Sequence, residues 1–246
     1  MIGFRPRAWE TAYRRRRRRA LTEVPYYREH GVRPTPIAEL LPELYRLCPL
    51  ARPWRPEREP SLWIGDPGPL RDALVSAGLL RRGLPVLEVR EALVDWRRVG
   101  PAPYATVLAP DADTGGPARR PGLLQAPAEL ASAAGGALLV GGAAELDRLE
   151  PELGVPVTRV TRSGGAGGLL LYDRWLGYLG TWREECAAYH LNWRRFHARR
   201  TPGGVSLTAL DRRRPTLVDV LAGLPTMVVC AAHGRPAVPG QAFSVQ

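Results

Sequence analysis

Between residues 61 and 162 the chain alternates two kinds of apolar pattern. SLWIG, LPVLEV, YATVLAP, GALLVGG and VPVTRV are short runs of β-branched and aliphatic residues bounded by Gly and Pro, as expected of strands buried on both faces. LRDALVSAGLL, QAPAELASAA and AAELDRLEPEL place their apolar residues at helical spacing. Strand and helix in alternation predict an α/β fold, with a mostly parallel sheet flanked by helices.

The flanks follow other rules. In TAYRRRRRRALTEVPYY, Trp9, Tyr13, Ala20 and Val24 recur on one helical face before Pro25 ends the helix, which leaves the arginines mostly facing water. PTPIAELLPELYRL predicts a short second helix, and the prolines of LARPWRPEREPSLW make it a connector. After the RSGGAGG loop, LLLYDRWLGYLG, YHLNWRRFHARR, GGVSLTALDRR and TLVDVL predict successive antiparallel strands, a β-rich C-terminal subdomain. The expected organisation is a helical segment and connector (1–60), an α/β core (61–162) and the β-rich subdomain (163–246).

Read as one continuous strand, AYHLNWRRFHARR puts Leu191, Trp193, Arg195 and His197 on one face and His190, Asn192, Arg194 and Phe196 on the other. Trp193, Arg195 and His197 then form a candidate ligand-binding face, an aromatic ring and a guanidinium able to flank a planar or anionic group.

Composition narrows the chemistry. No apolar run of the 246 residues approaches the roughly 20 needed to span a membrane, and MIGFRPRAWE lacks the apolar stretch of a signal peptide, so a cytoplasmic location is expected. All 35 basic residues are arginine. A Walker-type lysine loop, a Schiff-base nucleophile and an amine general base are therefore excluded within this chain. A net charge of +11 invites an acidic partner, and Arg14 to Arg19 would carry a nucleic-acid reading. Without an aromatic-interleaved basic groove, zinc-finger spacing or an RNA-recognition signature, that reading stays an alternative.

Three cysteines and four histidines make their spacing informative. Cys186 and His190 form Cys-x3-His, and Cys230 and His233 form Cys-x2-His, each able to offer two ligands from a tight turn. Together they predict a closed Cys2His2 zinc site of structural type, since four protein ligands leave no open position. A reducing cytosol argues against a disulfide. Gly65-Asp66-Pro67-Gly68, Asp113-Thr114-Gly115-Gly116 and the glycines from Gly164 to Gly168 could present amides to phosphate, but none matches a known phosphate loop. Ser163 has no histidine arranged to activate it, and Glu184-Glu185 beside Cys186 gives no distinct acid/base assignment.

Several of these motifs occur together in one known family. The first helix leading into VPYYREHGV, the segment GGVSLTALDRRRPTLVDVLAG and the cysteine-containing turn VVCAAHGRPAV resemble the phenylacetate-CoA ligase branch of the adenylate-forming enzymes, with the greatest specificity between Leu176 and Val238. The resemblance implies an acyl-binding scaffold and, as in some members, a structural zinc near that turn. It also implies ATP chemistry that this sequence does not equip. The nearest phosphate-loop relics are IGDPG and DADTGG, the Gly-Asp ribose step reads Ala222-Gly223-Leu224, and neither a C-terminal lid after Gln246 nor a lid lysine is found. Losing cradle, ribose anchor and lid cation together attacks the transition state from every side.

The expectation is therefore a truncated, degenerate homologue, an accessory or pseudoenzyme protein of specialised metabolism such as antibiotic biosynthesis, or a repurposed catalyst. Its expected partners are an acyl or aromatic carboxylate ligand, a carrier protein or a partner enzyme. The alternative is a ligase or acyltransferase completed by a second subunit, with Arg194, Arg195 or Arg212 neutralising a phosphate or carboxylate.

Overall fold

The computed structural model describes residues 3–49, 67–94, 96–112, 120–163, 167–212 and 214–240. The expected strand SLWIG, the connector before it, and the loop residues Gly65, Asp66, 113–119 and 164–166 lie outside the described residues. The chain is mixed α/β and divides into two compact units, one of Met1–Asp66 with Asp173–Gln246 and one of Pro67–Tyr172.

The first unit opens with α1 (Pro6–Glu23) and α2 (Pro25–His30), separated by Val24, whose backbone is extended because the next residue is proline. Tyr13, Arg16 and Ala20 are the buried residues of α1. Arg14 to Arg19 face mostly water, as expected, with Arg16 the buried exception: its guanidinium donates to the carbonyls of Ala209 and Leu210 at 3.1 and 2.7 Å. A two-residue strand β1 (Thr35–Pro36) and one turn of helix α3 (Ile37–Leu40) follow, and Pro42 lies in the tighter turn that succeeds it.

The second unit holds α4 (Gly68–Ser76), β2 (Val86–Arg90), β3 (Arg98–Val99), β4 (Ala102–Leu108), α5 (Arg120–Ala133), β5 (Ala137–Gly141), α6 (Ala143–Leu153), β6 (Val157–Ser163) and β7 (Leu170–Asp173). Its strand order is β7-β6-β5-β2-β4-β3, with every neighbouring pair parallel except β3 with β4. Leu87, Val89, Val107, Ala137 and Leu139 face one side and pack against Leu124 and Ala131 of α5 and Leu146, Leu149 and Leu153 of α6. The capping glutamate of α6, Glu145, accepts the Gly142 amide at 2.7 Å, and Gly154 ends the helix in the left-handed conformation.

The rest of the first unit is strand and turn: β8 (Gly177–Arg183), β9 (Ala188–Leu191), β10 (Phe196–Thr201), β11 (Gly204–Ala209), β12 (Val220–Leu221), β13 (Val228–Val229) and β14 (Pro236–Pro239). β10, β11 and β12 are successive antiparallel neighbours, and β1 closes that set in parallel with β12. β13, β14, β9 and β8 form the other run, all antiparallel. The N-terminal helix thus belongs with the C-terminal strands, because its contacts are with them: Trp9 Nε1 donates to the Phe196 carbonyl at 2.8 Å and the Tyr13 hydroxyl to Asp219 at 3.0 Å. Among the described residues no helix is long and apolar enough to cross a membrane.

Candidate metal centre

The stretch read as one strand is two. β9 ends at Leu191, and the amides of Arg195 and Phe196 both return to the Asn192 carbonyl at 2.9 Å, so the chain turns and re-enters as β10 in another sheet. The turn carries no glycine or proline and is built around Asn192, a residue tolerant of such bends. It separates His190 from His197 and gives each its own neighbourhood.

His190 lies on β9 opposite Ala237 of β14. Cys186 sits in the tight turn after β8, whose last residue, Ala187, takes a left-handed φ of 46° and sends the chain back as β9. Cys230 follows β13, and the turn to β14 closes with Gly234 donating to the Cys230 carbonyl at 2.7 Å and Cys230 donating to that of Arg235 at 2.8 Å. Two hairpin turns therefore bring the four residues together.

Their ligand atoms all lie within 4.8 Å of one another. Cys186 Sγ is 3.2 Å from His233 Nδ1, Cys230 Sγ is 3.4 Å from Cys186 Sγ and 3.6 Å from His233 Nδ1. For metal–ligand bonds of about 2.0–2.3 Å, tetrahedral edges run to roughly 3.3–3.8 Å, close to the separations among Cys186, Cys230 and His233, and the four residues, within 4.8 Å, could hold one ion. His190 Nε2 is buried without a hydrogen-bond partner, the one donor atom of the set with nothing else to bind.

Protonation favours the same use. Burial, then the nearby His233 and the positive charges of Arg183 and Arg235, lowers His190 to about 4, which keeps its imidazole neutral. At Cys230 burial works against ionisation, but hydrogen bonds from His233 and Cys186 and from the backbone amides of His233 and Ala232 outweigh it and bring the thiol to about 7. Cys186 moves the other way, raised by burial and by its bond to Cys230. The neutral His190 imidazole and the readily ionised Cys230 thiol suit a zinc-type cation, which would also draw the proton from Cys186 on binding. The third cysteine, Cys48, is elsewhere and donates to the Leu44 carbonyl at 3.5 Å.

The residues expected to form a ligand face sit within the fold of the first unit. His197 is 3% exposed, its ring stacked on Tyr13 at 4.2 Å and tilted against Trp9 at 4.2 Å, with Nε2 3.1 Å from Glu10 Oε2. Burial lowers its pKa, partly offset by Glu10. Trp193 meets Phe4 edge-on at 5.5 Å and lies under the guanidinium of Arg194. Arg195 pairs with Asp211, and Arg212 donates to the Trp175 carbonyl at 3.2 Å. Beside this cluster, buried Asp219 takes Arg199 through both oxygens at 2.9 and 2.7 Å and also accepts Tyr13 and Ser206.

Sequence reasoning missed a second polar cluster, in the other unit. Glu88, 1% exposed on β2, accepts the Tyr104 hydroxyl at 2.7 Å and Arg90 at 3.2 Å, with Arg162 Nη1 3.7 Å away. Its signal was present: Val86, Glu88 and Arg90 alternate on one face of a strand otherwise apolar. Comparison with protein-family models, curated proteins and solved structures finds no significant match to this chain.

Proposed function

We propose that this chain is a relative of the phenylacetate-CoA ligase branch of the adenylate-forming enzymes that has lost ATP handling and serves as an accessory protein of specialised metabolism, binding an acyl or aromatic carboxylate, a carrier protein or a partner enzyme. The observation that carries the reading is the convergence of Cys186, His190, Cys230 and His233, which falls in the segment where the resemblance is most specific and beside its Gly234-Arg235 turn. The ion is zinc in a structural role, since two thiolates and two imidazoles suit that metal and fill its coordination sphere. A reducing compartment, the cytoplasm, keeps both thiols available. The lack of any lysine in the sequence supports the loss of adenylation.

Two measurements test this. Metal analysis of the purified chain is expected to give one zinc per polypeptide, reduced in Cys230→Ser and His233→Ala; full retention in both variants removes the zinc site. ATP–pyrophosphate exchange against organic acids is expected to be absent for the chain alone. Exchange by the isolated chain overturns the accessory role, and exchange only when neighbouring proteins are added favours a ligase completed by a second subunit.

A further inference from the structure

The positive charge of the chain is not spread over it. The second unit carries 11 arginines against 11 acidic residues and is neutral, so the net charge of +11 belongs wholly to the first unit. A general preference for arginine would load both units alike. Charge segregated in this way suits a polyanion met by one unit alone.

Its densest part is α1. Trp9, Tyr13 and Arg16 bond to the carbonyl of Phe196, to Asp219 and to the carbonyls at the end of β11, which fixes the helix by its inner face. Beyond that face Arg14, Arg15, Arg17, Arg18 and Arg19 are all exposed. Arg14 pairs with Glu10, and among the described residues the other four make no ion pair. Like charges one turn apart, such as Arg15 and Arg19, repel, and an external polyanion relieves that cost.

Helix geometry decides the shape of the polyanion. With 3.6 residues per turn, Arg15 and Arg19 leave the axis on one flank, Arg14 and Arg17 on the other, and Arg18 points outward between them. The guanidinium groups therefore fan over roughly half the circumference. An anionic bilayer presents a single plane, and α1 has no apolar row to sink into it: Leu21, 36% exposed, is its one exposed large apolar side chain. A protein partner would centre on aromatic or aliphatic anchors, which this face lacks. Single-stranded nucleic acid stacks on aromatic rings, and α1 exposes none. A groove between two walls of phosphate meets the fan on both flanks. The major groove of B-form DNA, about 12 Å wide, admits a helix, whereas that of A-form RNA is too narrow.

We propose that the arginine face of α1 docks double-stranded DNA. The helix lies in the major groove, with Arg15 and Arg19 on the phosphates of one wall, Arg14 and Arg17 on those of the other, and Arg18 toward the floor. Most of these contacts are to phosphate, so binding depends strongly on salt and weakly on sequence. The inference goes beyond the proposed function and rests on neither the metal nor the acyl ligand.

The test is fluorescence anisotropy of the full chain with a labelled duplex of mixed sequence, two helical turns long. Saturable binding is expected, with log affinity falling against log salt at a slope of roughly −3.6 for four neutralised phosphates. Arg17→Gln with Arg19→Gln removes one contact from each wall and should weaken binding at least about tenfold at low salt and halve the slope. Should that pair not fold, as judged by circular dichroism, Arg14→Gln with Arg15→Gln carries the same expectation. Arg81→Gln with Arg82→Gln removes equal charge from exposed positions of the second unit and should change affinity less than about twofold. A duplex whose major groove is filled by glucosylated cytosines should bind at least about tenfold more weakly. The proposal is overturned by the absence of saturable binding, by a slope no steeper than about −1, or by equal losses in the α1 and second-unit pairs. Unchanged affinity for the glucosylated duplex overturns it too, as does binding of duplex RNA or phosphatidylserine vesicles as tight as that of DNA.

Discussion

His190 and His197 are seven residues apart, both are buried, and each has one ring nitrogen without a hydrogen-bond partner. Their surroundings make them different objects. The open nitrogen of His190 belongs to a group of two thiols and a second imidazole within 4.8 Å. At His197 the other nitrogen is tied to Glu10, and aromatic rings 4.2 Å away hold the imidazole. An orphaned buried atom signals a missing ligand when further donors converge on it; otherwise it is a local cost borne by good packing.

The largest expected effect breaks the first side of that comparison. Stripping the metal with a chelator, or removing a ligand in His190→Phe, should cost about 3–5 kcal/mol, the linkage from an ion held near a thousandfold above its dissociation constant. By calorimetry that is a fall in Tm on the order of 10 °C for a chain of this size. Removing Asp219 comes next. Arg199 is 39% exposed and its share is screened, but Tyr13 and Ser206 would be left without their buried acceptor, so Asp219→Ala should lose about 2–4 kcal/mol in urea unfolding.

The smaller effects belong to His197. Its folded pKa lies below the ordinary 6.5, so between those two values the unfolded chain binds more protons than the folded one. Its contribution is complete above 6.5 and is lost as pH falls toward the folded value, with a slope of at most about 1.4 kcal/mol per pH unit. His197→Phe keeps a ring between Trp9 and Tyr13 and should change stability at neutral pH by less than about 1 kcal/mol. In that variant the acid-side slope of stability should flatten; an unchanged slope would assign the titration to other groups.

How far the sequence led differs between the units. In the second, LPVLEV, YATVLAP, GALLVGG and VPVTRV correspond to β2, β4, β5 and β6; β2 and β5, buried along nearly their whole length, are written locally as apolar runs, whereas β6, with only Val160 buried, carries its signal in β-branched residues. The candidate metal ligands were legible because each pair lies within a few residues of a single turn. The break at Asn192 was not, since Trp193 to Phe196 continue the alternation of a strand while the backbone bonds turn it. Nor was the joining of α1 to β10 and Asp219, because nothing in the local pattern of Trp9 or Tyr13 names a partner so distant. The Glu88 cluster lay between, its acid visible in the strand but its three companions supplied by β2, β4 and β6 together.

The placement of α1 sets a timetable for synthesis. Its anchors, the carbonyls of Phe196, Ala209 and Leu210 and the carboxylate of Asp219, lie 187 to 206 residues further along the chain. At about 5–20 residues per second the ribosome needs roughly 10 to 40 s to deliver them, and through that interval Trp9, Tyr13 and Ala20 have no surface to cover them.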